Sequence, residues 1–175
     1  MKSLRITELG GWSEDEGRAL HAALLALTAP GAPRVKVAAA ESLTVGRVQA
    51  ELGRWSGSSG YFAGGVTAYE IAAKVKLLGV HAAHAAEVNA VSARVAEEMA
   101  WGVAKLFDAE IGVATTGYAE PDPARGVADP FAWVAVARGG EVRAARVDGL
   151  GLDRVGMQAR AAAEALRLLS EQIHV

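Results

Sequence analysis

Ser42, Tyr69 and Lys74 are the side chains whose types and placement read as a reactive set. Ser42 follows the apolar run Arg34–Ala40 and precedes a helical pattern, and Tyr69 and Lys74 stand at the next junction of the same kind. A serine hydroxyl is a weak nucleophile until a base takes its proton. Histidine is the usual base, yet His21, His81, His84 and His174 all lie away from these junctions in sequence. A lysine can replace it when the amine is neutral. Its ordinary pKa of about 10.4 must then be lowered by burial or a cationic neighbour. Lys74 sits in Ala72-Ala73-Lys74-Val75, small and apolar surroundings that suit burial, whereas Lys76 falls on the other side of a helix. Tyr69 is placed to relay the proton or to hold the amine. The N–H groups of Thr44, Val45 and Gly46, at the start of a helix, are expected to point outward toward an oxyanion or a phosphate. Each residue also has a plainer reading: Ser42 and Thr44 as N-caps, Tyr69 as packing, Lys74 as a solvated helix residue.

The elements that must position these groups follow from periodicity and punctuation. A lead-in with a short strand at Ser3–Ile6 precedes a helix opened by Ser13 and Glu16, which have capping-box spacing, and carried to about Leu27 by Leu20, Leu24, Leu25 and Leu27. Pro30, Gly31 and Pro33 break the pattern. Strands are expected at Arg34–Ala40, Tyr61–Tyr69 and Glu110–Thr115, and helices at Thr44–Trp55, Glu70–Leu78, His81–Glu87 and Ser92–Phe107. Gly64-Gly65 inside the second strand marks close approach of another backbone or a ligand. Thr116–Asp129 reads as a long loop, Gly139-Gly140 as a two-residue hairpin turn between Phe131–Arg138 and Glu141–Val147, and Asp153–Ile173 as a closing helix. Its apolar stripe is Val155, Ala159, Ala162, Leu166 and Leu169, with Arg154, Arg160, Glu164 and Arg167 outward. Strands alternating with helices and ending in a hairpin predict a single domain: a three-layer α/β/α sandwich whose mostly parallel sheet has an antiparallel hairpin at its edge. In such a sheet the site lies at the carboxyl ends of the strands, which brings Glu41–Gly46, Tyr69–Lys74 and Thr115–Asp129 together.

Composition narrows the partners. The 175 residues are 51% apolar, with a net charge of −2 and no cysteine. That argues against nucleic acid as partner and excludes disulfides and thiolate metal sites. No signal peptide or membrane-length apolar run is evident, so a cytoplasmic protein is expected. His81, His84 and Glu87 share helical spacing, and Glu120, Asp122 and Asp129 cluster in a loop, but a solvated surface is the expected reading of both, not a metal site.

The sequence resembles a known family. Ala40-Glu41-Ser42-x-Thr44-x-Gly46, then Gly57-Ser58-Ser59-x-x-Phe62-x-Gly64-Gly65-Val66-x-x-Tyr69, then Ala73-Lys74-x-x-Leu77-Leu78-Gly79-Val80 is similar to the carboxy-terminal domain of the CinA (competence/damage-inducible protein) family. Ala90-Val91-Ser92, Val95-Ala96, Met99-Ala100, Thr116-Gly117 and Ala119 continue the likeness. The resemblance implies a nicotinamide-nucleotide amidase that converts nicotinamide mononucleotide to nicotinate mononucleotide and ammonia. It implies Ser42, Tyr69 and Lys74 as the catalytic set, no metal or organic cofactor, a small nucleotide substrate and a homo-oligomer. The residues expected around the substrate are Glu41, Thr44, Val45, Gly46, Gly64, Gly65, Thr116 and Gly117. Leu43, Val45, Ile71 and Ala119-Glu120-Pro121-Asp122-Pro123 depart from the family pattern, and Glu120 and Asp122 add negative charge where a phosphate is expected. Two other readings stay open: a diverged member that binds a nucleotide-like ligand or a partner without turnover, and an amidase for a different small amide.

Overall fold

The computed structural model describes residues 11–28, 31 and 35–173. The expected strand at Ser3–Ile6, the prolines at 30 and 33, and His174 lie outside them. In chain order the elements are α1 (Glu14–Ala26), β1 (Val37–Glu41), α2 (Arg47–Gly53), β2 (Phe62–Thr67), α3 (Ile71–Leu78), α4 (Ala82–Glu87), α5 (Ala93–Leu106), β3 (Ile111–Tyr118), β4 (Phe131–Arg138), β5 (Glu141–Asp148) and α6 (Arg154–Ile173). Helix α1 begins where its capping box dictates: Ser13 Oγ accepts from the Glu16 N–H, and the Glu16 carboxylate accepts from the Ser13 N–H at 2.7 Å. Gly139 and Gly140 both have positive φ, 60° and 87°, as the tight turn between β4 and β5 requires.

The five strands form one sheet in the order β2-β1-β3-β4-β5. Strands β2, β1 and β3 are parallel, and β4 and β5 are antiparallel to their neighbours. This is the expected sandwich, with β1 between its two parallel partners. One layer contains α1, α2 and α6, and the other α3, α4 and α5. Residues on β1 alternate between the two cores: Val37 and Ala39 belong to the first, Ala38 and Ala40 to the second.

The two layers are filled differently. Against α1, α2 and α6 the sheet turns Val37, Ile111, Val113, Val134 and Val136, which meet Leu24, Leu52, Met157, Leu166 and Leu169. Burying each of these large side chains contributes about 1.5–3 kcal/mol. Against α5 the sheet turns Ala38, Ala40, Ala114, Ala135 and Ala137, opposite Ala96 and Ala100. Here backbones nearly touch: a Cβ on Gly112 of β3 would overlap the Ala100 carbonyl, and one on Gly102 would overlap that of Leu78.

Two boundaries and one burial near the site differ from expectation. Helix α2 starts at Arg47 rather than Thr44, because the segment before it forms a turn around a carboxylate described below. Strand β3 runs on to Tyr118, so Thr116, Gly117 and Tyr118, expected in a loop, pair with Trp133, Ala132 and Phe131 of β4. Val155, expected on the buried stripe of α6, is 61% exposed in the first turn of the helix.

Candidate active site

Parallel β1, β2 and β3 end at one edge of the sheet, and the chain leaves each of them into a lining segment of a cleft of about 460 Å³. The chain passes from β1 to β2 through α2 in one layer, and from β2 to β3 through α3, α4 and α5 in the other. The crossovers therefore diverge around β1, which opens the crevice at its carboxyl end. Ser42, Leu43, Tyr69, Ile71, Lys74, Thr116 and Gly117 all face this cleft.

Ser42 is held by backbone bonds on its strand: its N–H donates to the Thr115 carbonyl at 3.0 Å. The turn after it is organised by Glu41. This carboxylate is fully buried and accepts from Thr44 Oγ1 at 2.5 Å, from the N–H groups of Gly46, Val48 and Gln49 at 2.9, 3.2 and 2.8 Å, and from Gln49 Nε2 at 3.1 Å. A buried carboxylate must be met by donors in this way. The start of α2 is thus occupied from within, which corrects the expectation that it receives a ligand. The Gly46 N–H serves Glu41, and the Val45 N–H reaches the Ser42 carbonyl at 3.4 Å. Among the described residues the N–H groups of Leu43 and Thr44 have no acceptor. Val45 is pushed to φ 46°, a left-handed conformation unfavourable for a β-branched residue, at an order-of-magnitude cost of about 1–3 kcal/mol.

Lys74 comes from the first turn of α3, one turn after the Glu70 N-cap. Its side chain is 2% exposed. Nζ donates to Ser42 Oγ at 3.0 Å and to the backbone carbonyl of Tyr69 at 2.8 Å. No carboxylate pairs with it among the described residues. Burial lowers its pKa from 10.5 to about 8. The amine is therefore accessible in its neutral form near physiological pH, with a hydroxyl proton at hydrogen-bond distance.

Tyr69 contributes to the lysine through its carbonyl, not its phenol. The phenol oxygen accepts from Arg154 Nη2 at 2.8 Å at the cleft mouth, and the residue is 54% exposed. Arg154 also pairs with Glu120 at 2.6 Å, and Arg125 with Asp122 at 2.7 Å. The acidic loop residues thus line the cleft with their own cations. Of the residues expected around a substrate, Thr116 and Gly117 line the cleft; Glu41, Thr44, Val45, Gly46, Gly64 and Gly65 do not. The paired glycines of β2 answer to packing: a Cβ on Gly64 would meet the Phe107 ring at 2.6 Å, and one on Gly65 the Ala39 carbonyl at 2.5 Å. Thr116 Oγ1 donates to the Ala90 carbonyl at 2.7 Å, tying the segment before α5 to β3.

Arg154, Asn89 and Tyr118 also line the cleft and were not singled out by residue type. Arg154 was expected among the outward charges of the last helix. The signal for it is strand parity: β5 is antiparallel to β4, which is antiparallel to β3, so β5 ends at the same edge as β1 and delivers the first residue of α6 there. Asn89 and Tyr118 carry no comparable mark.

Among the described residues no group of three or more His, Cys, Asp or Glu is placed to hold a metal, and no helix is long and apolar enough to cross a membrane. His81 instead caps α4, its ring accepting from the His84 N–H at 3.3 Å, and His84 meets Ser92 Oγ at 3.0 Å.

Residues 22–173 match the model of the CinA C-terminal domain. A CinA-like protein of Mycolicibacterium vanbaalenii is 43% identical over 137 residues, which cover 76% of this chain and 32% of that protein. The chain spans about a third of the length of the curated relatives it matches. The crystal structure of the competence damage-inducible protein A (ComA) from Klebsiella pneumoniae superposes with a TM-score of 0.80 at 29% identity, covering 91% of this chain and 97% of the other. The competence/damage inducible protein CihA from Agrobacterium tumefaciens gives 0.80 at 26% identity, covering 94% and 98%. By sequence and by fold, the chain belongs to the CinA C-terminal domain family.

Proposed function

We propose that this protein is an amidohydrolase that deamidates nicotinamide mononucleotide to nicotinate mononucleotide and ammonia, with Ser42 as nucleophile and Lys74 as base. The observation that carries the reading is the 3.0 Å contact between Ser42 Oγ and Nζ of the buried Lys74, whose pKa burial lowers to about 8. The neutral amine takes the hydroxyl proton as Oγ attacks the carboxamide carbon. The unclaimed N–H group of Leu43, next to the nucleophile and lining the cleft, stabilises the oxyanion. The Lys74 ammonium then returns the proton to the departing nitrogen, which leaves as ammonia, and an ester to Ser42 remains. Water, deprotonated by Lys74, attacks the ester and frees Ser42 with the carboxylate product. The Tyr69 carbonyl keeps Nζ aimed throughout. Arg154, at the mouth, receives the phosphate in exchange for Glu120. The family membership supports this substrate; activities of the larger relatives' other regions are not carried over.

The test is ammonia release from nicotinamide mononucleotide by the wild type and by Ser42→Ala. Release by the wild type and its loss in the variant are expected; no release by concentrated wild-type protein sinks the reading. A second reading, a nucleotide-like ligand bound without turnover, draws on the Glu120 carboxylate that already occupies Arg154. Tight binding of the mononucleotide with no ammonia would favour it.

A further inference from the structure

The two edges of the sheet are built differently. Strand β2 closes one edge with six residues, a register shift against β1 and two glycines, Gly64 at φ 139°. Irregularity of this kind keeps an edge from pairing with another chain. Strand β5 forms the other edge with eight residues that match β4 pair by pair, without a bulge or a proline. Arg138 and Glu141 flank the two-residue turn and so exchange backbone bonds, and the same parity ends in the Gly149 N–H donating to the Pro130 carbonyl at 2.9 Å. The N–H and C=O groups of Val142, Ala144, Arg146 and Asp148 therefore point away from β4, and have no partner among the described residues. The Arg146 guanidinium does not shield them: it lies 4.1 Å from the Phe131 ring centre and pairs with Asp148.

Beside that edge lies a groove of about 330 Å³ over Ala145 and Val147, left open because α6 packs mainly on β4. The α6 wall of the groove carries four charged residues, Arg160, Glu164, Arg167 and Glu171, at spacings of 4, 3 and 4 that keep them on one helix face. Arg160 and Arg167 both pair with Glu164, and Glu171 has no cation among the described residues. Taken in reverse, the row runs Glu, Arg, Glu, Arg at the same spacings. It is thus complementary to its own antiparallel copy: Arg160 falls opposite Glu171, and Glu164 opposite Arg167.

We propose that β5 pairs antiparallel with β5 of a second copy of this chain, joining two five-stranded sheets into one of ten strands, with the two α6 rows facing each other across the two-fold axis. Registers centred on Ala144 or Ala145 set no like charges directly opposite, whereas centres at Arg143 or Arg146 would set arginine on arginine. With strands about 4.8 Å apart, β4 of one copy lies about 14 Å from β4 of the other, and so do the helices above them. That gap is too wide for direct helix packing, which needs about 8–10 Å. It suits Arg and Glu side chains that extend from both walls and meet in the middle. Because the pairing is antiparallel, the two clefts open at opposite edges of the joined sheet, and each copy keeps its own Ser42 and Lys74 unobstructed.

Sedimentation velocity on the full chain, over a range of concentrations, is expected to show a dimer. Glu171→Arg sets arginine against the partner's Arg160 at two symmetric places and should raise the dimer dissociation constant about 10-fold or more. Adding Arg160→Glu to the same chain exchanges the two charges and should restore the dimer. Ala144→Pro removes an N–H that bonds nothing within its own copy and should give a folded monomer, with circular dichroism as the check on folding. A wild-type chain that stays monomeric at the highest concentration overturns the proposal. So does a dimer that Glu171→Arg leaves unweakened, or a weakened one that the double variant fails to restore. The two charge variants decide the question even where Ala144→Pro fails to fold.

Discussion

At the floor of the cleft Lys74 reaches Ser42 and the Tyr69 carbonyl with 2% of its surface exposed; at the mouth the phenol of the same Tyr69, 54% exposed, meets Arg154, itself paired with Glu120, in water. The floor is set by strand ends and by a buried lysine whose charge burial disfavours. The mouth is set by ion pairs between long side chains, which in solvent are worth about 0–1 kcal/mol each and exchange readily. Proton transfer needs the first kind of construction, because a solvated ammonium is no base. Admission and release of an anion need the second, because a buried ion pair would not give up its partner.

The largest effect separating the two belongs to the floor. Lys74→Met and Ser42→Ala should each lower kcat/KM for ammonia release by about 10³-fold or more. Lys74→Met should also keep or raise the melting temperature, since it removes the penalty of burying an amine; a melting temperature far below wild type would mean that the lysine is structural.

The next is pH. Lys74 must be neutral to act, so kcat/KM should climb about tenfold per unit below a midpoint near 8 and level off above it. The same shift has a stability sign. The folded pKa of about 8 lies below the unfolded 10.5, so the unfolded chain binds more protons in that window. The group's destabilising contribution is full below about 8 and fades as pH rises toward 10.5. An activity profile with no limb near pH 8 would break the assignment of Lys74 as base.

Smaller effects belong to the mouth. Arg154→Gln should raise KM by about 10-fold with kcat little changed and the pH midpoint unmoved. An equal loss in kcat would place the guanidinium in the chemistry and dissolve the distinction. Smallest is Tyr69→Phe, which deletes the phenol and keeps the carbonyl that holds Nζ. Loss should stay within about 5-fold, and a collapse in kcat would restore the phenol as proton relay.

What the sequence made legible follows the range of each interaction. The capping box at Ser13 and Glu16, the hairpin at Gly139-Gly140 and the α3 stop at Gly79 depend on neighbours a few positions away, and all are found as read. The convergence of Ser42, Lys74, Thr116 and Gly117 follows from strand direction alone. The turn around Glu41 was hidden, because its five donors converge on a carboxylate that looks like an ordinary polar residue before a helix. The division of Tyr69 into a carbonyl that serves the base and a phenol that serves the mouth was hidden too, since residue type reports side chains and not backbone atoms. Arg154 is exposed, as read, but its place at the cleft mouth was hidden, because its helix also carries Arg160 and Arg167 on the solvent side.

The alanine-lined side of the sheet constrains how this chain can diverge. On the α6 side, volume can move between facing Val, Leu and Met residues, so one substitution can be answered by another across the gap. On the α5 side the sheet offers mainly alanine methyls and Gly112 brings β3 against the backbone of α5, so the volume there is carried by helix residues such as Val95, Met99 and Val103. Compensated exchanges across the gap are therefore open on one face, while at Gly112 on the other even a methyl group would meet the Ala100 carbonyl.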